Sequence, residues 1–328
     1  IGPKLVKELL AILESCPANL LAEDKLLPTA RANVLAAAFA RLPEYRSEDI
    51  VTWVLALAQS FENFDLEKLV MLINEERIVA GFPEITDSSA VETEIQERRG
   101  YYRQIIKATL DNLASKELVA AVTATVESAT DIGEEYCPVL IADLVDSYEV
   151  DAQEFLDKEE ENILALVEKL RVAVDADQSD AILAPMVIQL IQVVKNWDFV
   201  AQPIQVCAKS RGLDHDASLR VARILRSLAI YMFNEHGKLE FSQQLTNMLQ
   251  EVFAEVGEVA ERTAEDADAL DEIAEQRIQL IADAKNRAEE WRREVTFEAD
   301  VGAVFKDKLR ISPEGIDWKG RRWALDSI

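Results

Sequence analysis

The sequence predicts an all-α fold: antiparallel helical hairpins in an array or bundle, ending in a short C-terminal β meander. Three observations predict it. Residues 214–256 read as two antiparallel helices joined at Asn234-Glu235-His236-Gly237. Glycine is scarce (10 of 328 residues) while Ala, Leu and Glu are plentiful, which favours helices with short connections. The apolar spacing switches from helical to alternating only near Leu309.

Residues 1–82 read as an N-terminal helical subdomain of four helices. Leu5, Leu9, Ile12 and Leu13 form the first stripe, and residues 30–42, bounded by Pro28 and Pro43, form a small-residue helix. Ser47-Glu48-Asp49 opens a third helix with an acidic first turn, as the helix dipole favours, and it carries Trp53, Leu55, Leu57 and Phe61. Asp65 caps the fourth, through Leu66, Leu69, Val70, Leu72 and Ile73. Glu62-Asn63-Phe64-Asp65 and Lys195-Asn196-Trp197-Asp198-Phe199 both read as turns with Asn, an aromatic and Asp in order. Residues 81–89, GFPEITDSS, are the clearest linker.

Residues 88–256 form the predicted central hairpin array. A long helix carries Val91, Ile95, Tyr102, Ile105, Thr109 and Leu113. Ser115 caps a helix through Val119, Val122 and Val126, and Pro138 opens one through Leu140, Ile141, Leu144 and Val145. Residues 151–175 are a separate charged helix with Phe155, Ile163, Leu166, Val167 and Leu170 inward. Residues 179–194 are nearly all apolar, as a central buried helix would be, with Pro185 near its first turn, where proline is tolerated. In the hairpin that follows, residues 228–233 are apolar all round, so neighbours must cover several sides. Leu245, Met248, Leu249, Val252 and Val256 make one clean stripe, and Gly237 suits the left-handed residue at the hairpin bend.

Residues 257–296 form a long charged helix whose stripe runs through Leu270, Ile273, Leu280 or Ile281, Ala284, Ala288 and Trp291. That stripe is narrow, close to a coiled-coil seam. Residues 297–328 are the short β meander, possessing two or three strands with turns at Pro313-Glu314-Gly315 and Lys319-Gly320. Its unpaired edge offers open backbone groups, so this segment is expected either to dock on the body of the chain or to mediate self-association.

A formal net charge of −26 argues against nucleic acid and anionic lipid as partners. No apolar run is of transmembrane length. Cys16, Cys137 and Cys207 are odd in number, far apart and in no CxxC pair, which predicts small buried hydrophobes in a reducing, cytoplasmic compartment. The chain begins at Ile1, as a piece of a longer protein would, and a preceding segment could carry a targeting signal.

No P-loop, GxGxxG, GxSxG or HExxH stands in the sequence. His215 and His236 flank opposite ends of one helix, about 30 Å apart, so they cannot share a metal within it. No catalytic residue, cofactor or metal ligand is assigned. The candidate partner-contact residues are Trp318, Lys319, Arg321, Arg322 and Trp323, the one concentration of basic and aromatic side chains. The pairs Arg98-Arg99 and Arg292-Arg293 are expected to bind neighbouring acids.

Leu228-Ala229, Gly237 and the amphipathic helix after them resemble tetratricopeptide-type repeats. That resemblance implies a groove that takes a protein or peptide partner. LRISPEGIDWKGRRWALDSI, the last 20 residues, resembles the opening strands of bacterial pleckstrin-homology-like domains and implies further strands beyond this chain. The expectation is a non-enzymatic scaffold or protein-interaction module within a larger protein. The alternatives are a metal-dependent hydrolase using acidic residues, and an accessory of a chaperone machine, whose J-domain His-Pro-Asp tripeptide would have to lie upstream.

Overall fold

The computed structural model describes residues 47–62, 65–301 and 307–324. The stripe at Leu5 to Leu13, the helix at 30–42, Cys16 and the Asn63-Phe64 turn lie outside them. The chain divides into two units, one up to Ala264 and one from Glu265 onward.

The first unit is helical. In chain order it holds α1 (Ser47–Glu62), α2 (Leu66–Val79), α3 (Ser89–Leu110), α4 (Ser115–Thr130), α5 (Val139–Asp175), α6 (Asp180–Ser210), α7 (Asp216–Asn234) and α8 (Leu239–Val252). The last helix, α9 (Gly257–Glu294), begins here and continues into the second unit. The organising pair is α5 against α6, 37 and 31 residues long. The Tyr148 hydroxyl donates to the Val200 carbonyl at 2.8 Å, and Arg211 meets Asp146 at 3.0 Å, so the start of α5 lies beside the end of α6. On one side α1, α3 and α4 pack on this pair; on the other lie α7 and α8.

Sequence spacing accounts for most of the core. Trp53, Leu57 and Phe61 of α1 are buried, as are Leu245, Met248, Leu249 and Val252 of α8. Asp65 caps α2 as its position predicts, its carboxylate accepting from the Lys68 N–H at 3.0 Å. The linker after α2 is tied down: the Asn74 side chain accepts from the Ile85 N–H at 2.6 Å and donates to the Ile85 carbonyl at 3.1 Å. The hairpin of α7 and α8 turns at Gly237, which has φ +64°. Leu228 and Met232 are fully buried because α7 is covered by both α5 and α8.

Several expectations change. Helix α5 is continuous through residues 146–151, where two helices were expected; that stretch, DSYEVD, holds no glycine or proline to end a helix. Likewise Lys195-Asn196-Trp197-Asp198-Phe199 is not a turn but the middle of α6. Trp197 there is fully buried, and burying a residue that size holds the helix through a polar stretch. Pro185 and Pro203 both sit inside α6, Pro185 beyond the first turn near which it was expected. The residue before α4 is Ala114, extended at φ −64° and ψ 150°, and Ser115 is the first helical residue, so it makes no cap bond. Helix α2 buries no side chain fully; its main neighbour among the described elements is α3. Arg99 meets Asp143 in a bidentate pair at 2.6 Å, whereas Arg292 and Arg293 have no acid within ion-pair distance among the described residues.

The second unit contains the rest of α9 and an antiparallel sheet in the order β1 (Phe297–Val301), β2 (Asp307–Ser312), β3 (Gly315–Trp318), β4 (Arg321–Trp323). It has four strands where two or three were expected. Phe297–Val301 adds the first by pairing with β2, Phe297 opposite Ile311 and Ala299 opposite Leu309. Lys319 and Gly320 both have positive φ, 51° and 71°, which is the two-residue turn that matches strand twist. At Gly315, φ +143°, a Cβ would stand 2.2 Å from the Trp323 carbonyl oxygen, so only glycine lets β4 approach.

Candidate functional sites

Two surfaces stand out, one in each unit. In the helical unit a groove of about 1040 Å³ opens between α3, α4, α5 and α6. Its floor is apolar: Leu110, Val119, Val122, Leu144, Tyr148 and Ala152 are buried. Burial pushes the Tyr148 hydroxyl above its ordinary pKa, and its proton is engaged by the Val200 carbonyl. Over the floor stand Phe155 and Phe199, 42% and 43% exposed. Phe155 was expected inward; Leu156 takes the core position, and Phe155 turns to the groove.

The rim is balanced in charge. Lys107 binds Asp151 at 2.7 Å, and Lys195 binds Glu251 at 2.7 Å. Lys116 also lines the groove and has no acid partner among the described residues. Asp111 and Glu159 complete it. On a chain of net charge −26 this is a locally neutral, apolar opening. The Ser147 hydroxyl accepts from Lys107 Nζ at 3.3 Å, and the Asp151 hydrogen bond pushes the Lys107 pKa up, which keeps that amine protonated and unsuited to act as a base. Among the described residues no group of three His, Cys, Asp or Glu side chains is arranged to hold a metal ion.

The two histidines do separate work. His215 precedes α7, with Nδ1 2.8 Å from the Ser218 hydroxyl and its ring stacked on Trp197 at 6.4 Å. Burial holds its pKa below the ordinary value. His236 lies in the α7–α8 turn with Nε2 3.2 Å from Asp175.

The second surface is one face of the sheet. Cross-strand partners share a face, so Phe297, Leu309, Ile311, Ile316, Trp318 and Trp323 line up on one side. Arg310, Asp317 and Arg322 line the other. Trp318 and Trp323 are 39% and 41% exposed. The five sequence-predicted contact residues are therefore divided. Trp318, Arg321 and Trp323 share the apolar face. Arg322 is on the opposite face, paired with Glu314 at 2.7 Å. Lys319 is in the turn, over the Trp318 ring at 5.1 Å and 3.6 Å from Asp307.

The groove has a weaker signature in the sequence than the sheet. Phe155 reads as core within a helical pattern and Phe199 as the end of a turn, and only the tertiary arrangement sets both over the groove. No helix among the described residues is long and apolar enough to cross a membrane. The chain matches no family model, and neither a curated protein nor a solved structure matches it.

Proposed function

We propose that the protein is a non-enzymatic interaction scaffold whose helical unit holds an amphipathic segment of a protein partner in the α3–α6 groove. The observation that carries this reading is the pair of half-open phenylalanines, Phe155 and Phe199, over an apolar floor. Exposed aromatic anchors beside a concave apolar surface are the usual energetic centre of a protein interface. A helix laid in such a groove would place residues at i, i+3 and i+7 on the floor. Lys116 is free to meet an acid on the partner's rim. The hairpin of α7 and α8 keeps the tetratricopeptide-like character of this reading. The spacing of the cysteines in sequence, with no CxxC pair, supports a cytoplasmic setting.

A photo-crosslinking residue placed at Phe155 or Phe199 of the full chain tests the groove. Val172, 59% exposed on the same α5, is the control position. Crosslinking of one partner at positions 155 and 199 but not 172 supports the proposal; equal yields at all three sites refute it. Thermal unfolding with a panel of divalent ions tests the hydrolase alternative. A large upward shift with one ion would overturn the scaffold reading, because specific binding to the native state adds stability.

The sheet supports a second role, self-association. Its continuous apolar face and the open edges of β1 and β4 are features that pair sheets between copies.

A further inference from the structure

Cys137 and Cys207 are 70 residues apart in sequence, yet their sulfurs lie 3.8 Å from one another. Both residues are buried, 1% and 2% exposed. Cys137 ends the α4–α5 connection and Cys207 lies in the last turn of α6, so the two thiols belong to separately built elements. A disulfide bond is about 2.05 Å long, so the sulfurs need approach by under 2 Å, within reach of a small loop adjustment. We infer that Cys137 and Cys207 are a reversible dithiol–disulfide couple, oxidised by a low-molecular-weight disulfide, that clamps the α4–α5 connection to α6.

The surroundings suit this chemistry. The Cys137 thiol in contact with the Cys207 sulfur favours the Cys207 thiolate, and the Arg211 guanidinium adds to that effect; Cys137 itself is pushed up. Either thiolate can begin the exchange, and Arg211 favours that of Cys207. The Cys207 thiolate attacks one sulfur of the oxidant, forming a mixed disulfide and releasing one thiolate. Cys137 then gives up its proton and attacks the Cys207 sulfur, releasing the second thiolate. The two protein thiols are oxidised, the oxidant is reduced to two thiols, and the two protein protons pass to the leaving thiolates.

Access is through the connection. Asp131, Ile132 and Gly133 have φ of 47°, 57° and 83°, three successive left-handed residues, and a β-branched residue there is strained. Lys209 holds the segment in place, donating to the Ile132 carbonyl at 3.2 Å and to Glu134 at 2.7 Å. These are exposed contacts, and contacts of that kind open readily. The inference is independent of the groove and its partner.

The test uses the full chain with its three cysteines, incubated folded with oxidised glutathione, then unfolded, alkylated and mapped by mass spectrometry. The expected product links Cys137 to Cys207, leaves Cys16 alkylated, and reverts with reduced glutathione. The linked form should also unfold at higher urea than the reduced form, because the bond closes a loop of 70 residues in the unfolded chain. A folded chain that stays fully reduced, stops at a mixed disulfide, or links either thiol to Cys16 overturns the inference. So does a linked form with a lower urea midpoint.

Discussion

Asp198 lies on α6 with its carboxyl largely out of water, and its pKa is pushed up from 3.8 to about 7. Burial is the main cause; Glu255 and Glu251 push the same way, while the Gln205 amide bond and Lys195 oppose. Because the folded value is raised, the native state holds a proton that the unfolded chain has lost between about pH 4 and about pH 7. Stability from this group therefore falls as pH rises through that window, by on the order of 4 kcal/mol, and levels off above it. Glu127, raised by burial and by Glu255, adds a contribution of the same sign. His215 opposes them: burial lowers its pKa, so its contribution is full above its ordinary value of 6.5 and is lost as pH falls below that toward the lowered folded value. Comparing the parent chain with Asp198→Asn isolates the aspartate. The variant should gain stability relative to the parent as pH rises from 4 to 7.5 in urea melts. A constant difference between the two chains across that range would show that Asp198 ionises normally. Nothing in the sequence marks Asp198 in this way. Its neighbours Asn196 and Trp197 suggest a turn, and only the continuity of α6 draws the carboxyl inward.

Among the elements, the α7–α8 hairpin is where sequence and fold agree most fully. Its two stripes, its bend and its dependence on neighbours are all legible because an amphipathic period and a positive-φ glycine are local properties. Leu228 and Leu249, 0% and 1% exposed, lock its two helices into the core. Replacing either with alanine should lower unfolding free energy by roughly 2–5 kcal/mol, read from denaturant melts. A loss under about half a kcal/mol would mean the cavity collapses freely or the side chain is outside the core. The long pair α5–α6 was legible only in pieces. DSYEVD and KNWDF look like interruptions, because polarity and Asx residues weaken a local helix. Packing over about 50 Å of helix outweighs those preferences, as tertiary context does when a stripe such as Leu140, Leu144 and Tyr148 is buried throughout. The same limit hides the groove. Phe155 and Leu156 are adjacent apolar residues, and which of them faces the core depends on how α5 crosses its neighbours. The thiol pair is hidden too, since two cysteines 70 residues apart meet only through the crossing of the α4–α5 connection with α6.

For the molecule as a whole, a net charge of −26 disfavours loose association, so any self-pairing needs a specific apolar surface. The second unit offers two. One is the sheet face of Phe297, Ile311, Trp318 and Trp323. The other is the exposed apolar set on α9, where Ile278, Leu280, Ile281 and Trp291 are all more than half open. On α9 residues 265–276 carry six acids and no base, so two such stretches side by side repel each other. The sheet has a smaller penalty: its polar face already pairs Arg310 with Glu298 and Arg322 with Glu314, and among the described residues the apolar face carries only two charges, Asp307 and Arg321, of opposite sign. The sheet is accordingly the predicted contact between copies. Light scattering of the full chain should show a mass that rises with concentration toward the dimer. A chain ending at Glu294, which keeps α9 and loses the sheet, should remain a monomer over the same range. Trp318 and Trp323 should move to bluer emission as the full chain is concentrated, measured against a chain with both replaced by phenylalanine. A dimer that survives removal of the sheet would assign the contact to the apolar set on α9 instead. A full chain that stays monomeric, with both tryptophans emitting as solvated residues, would leave the sheet without a role in self-association.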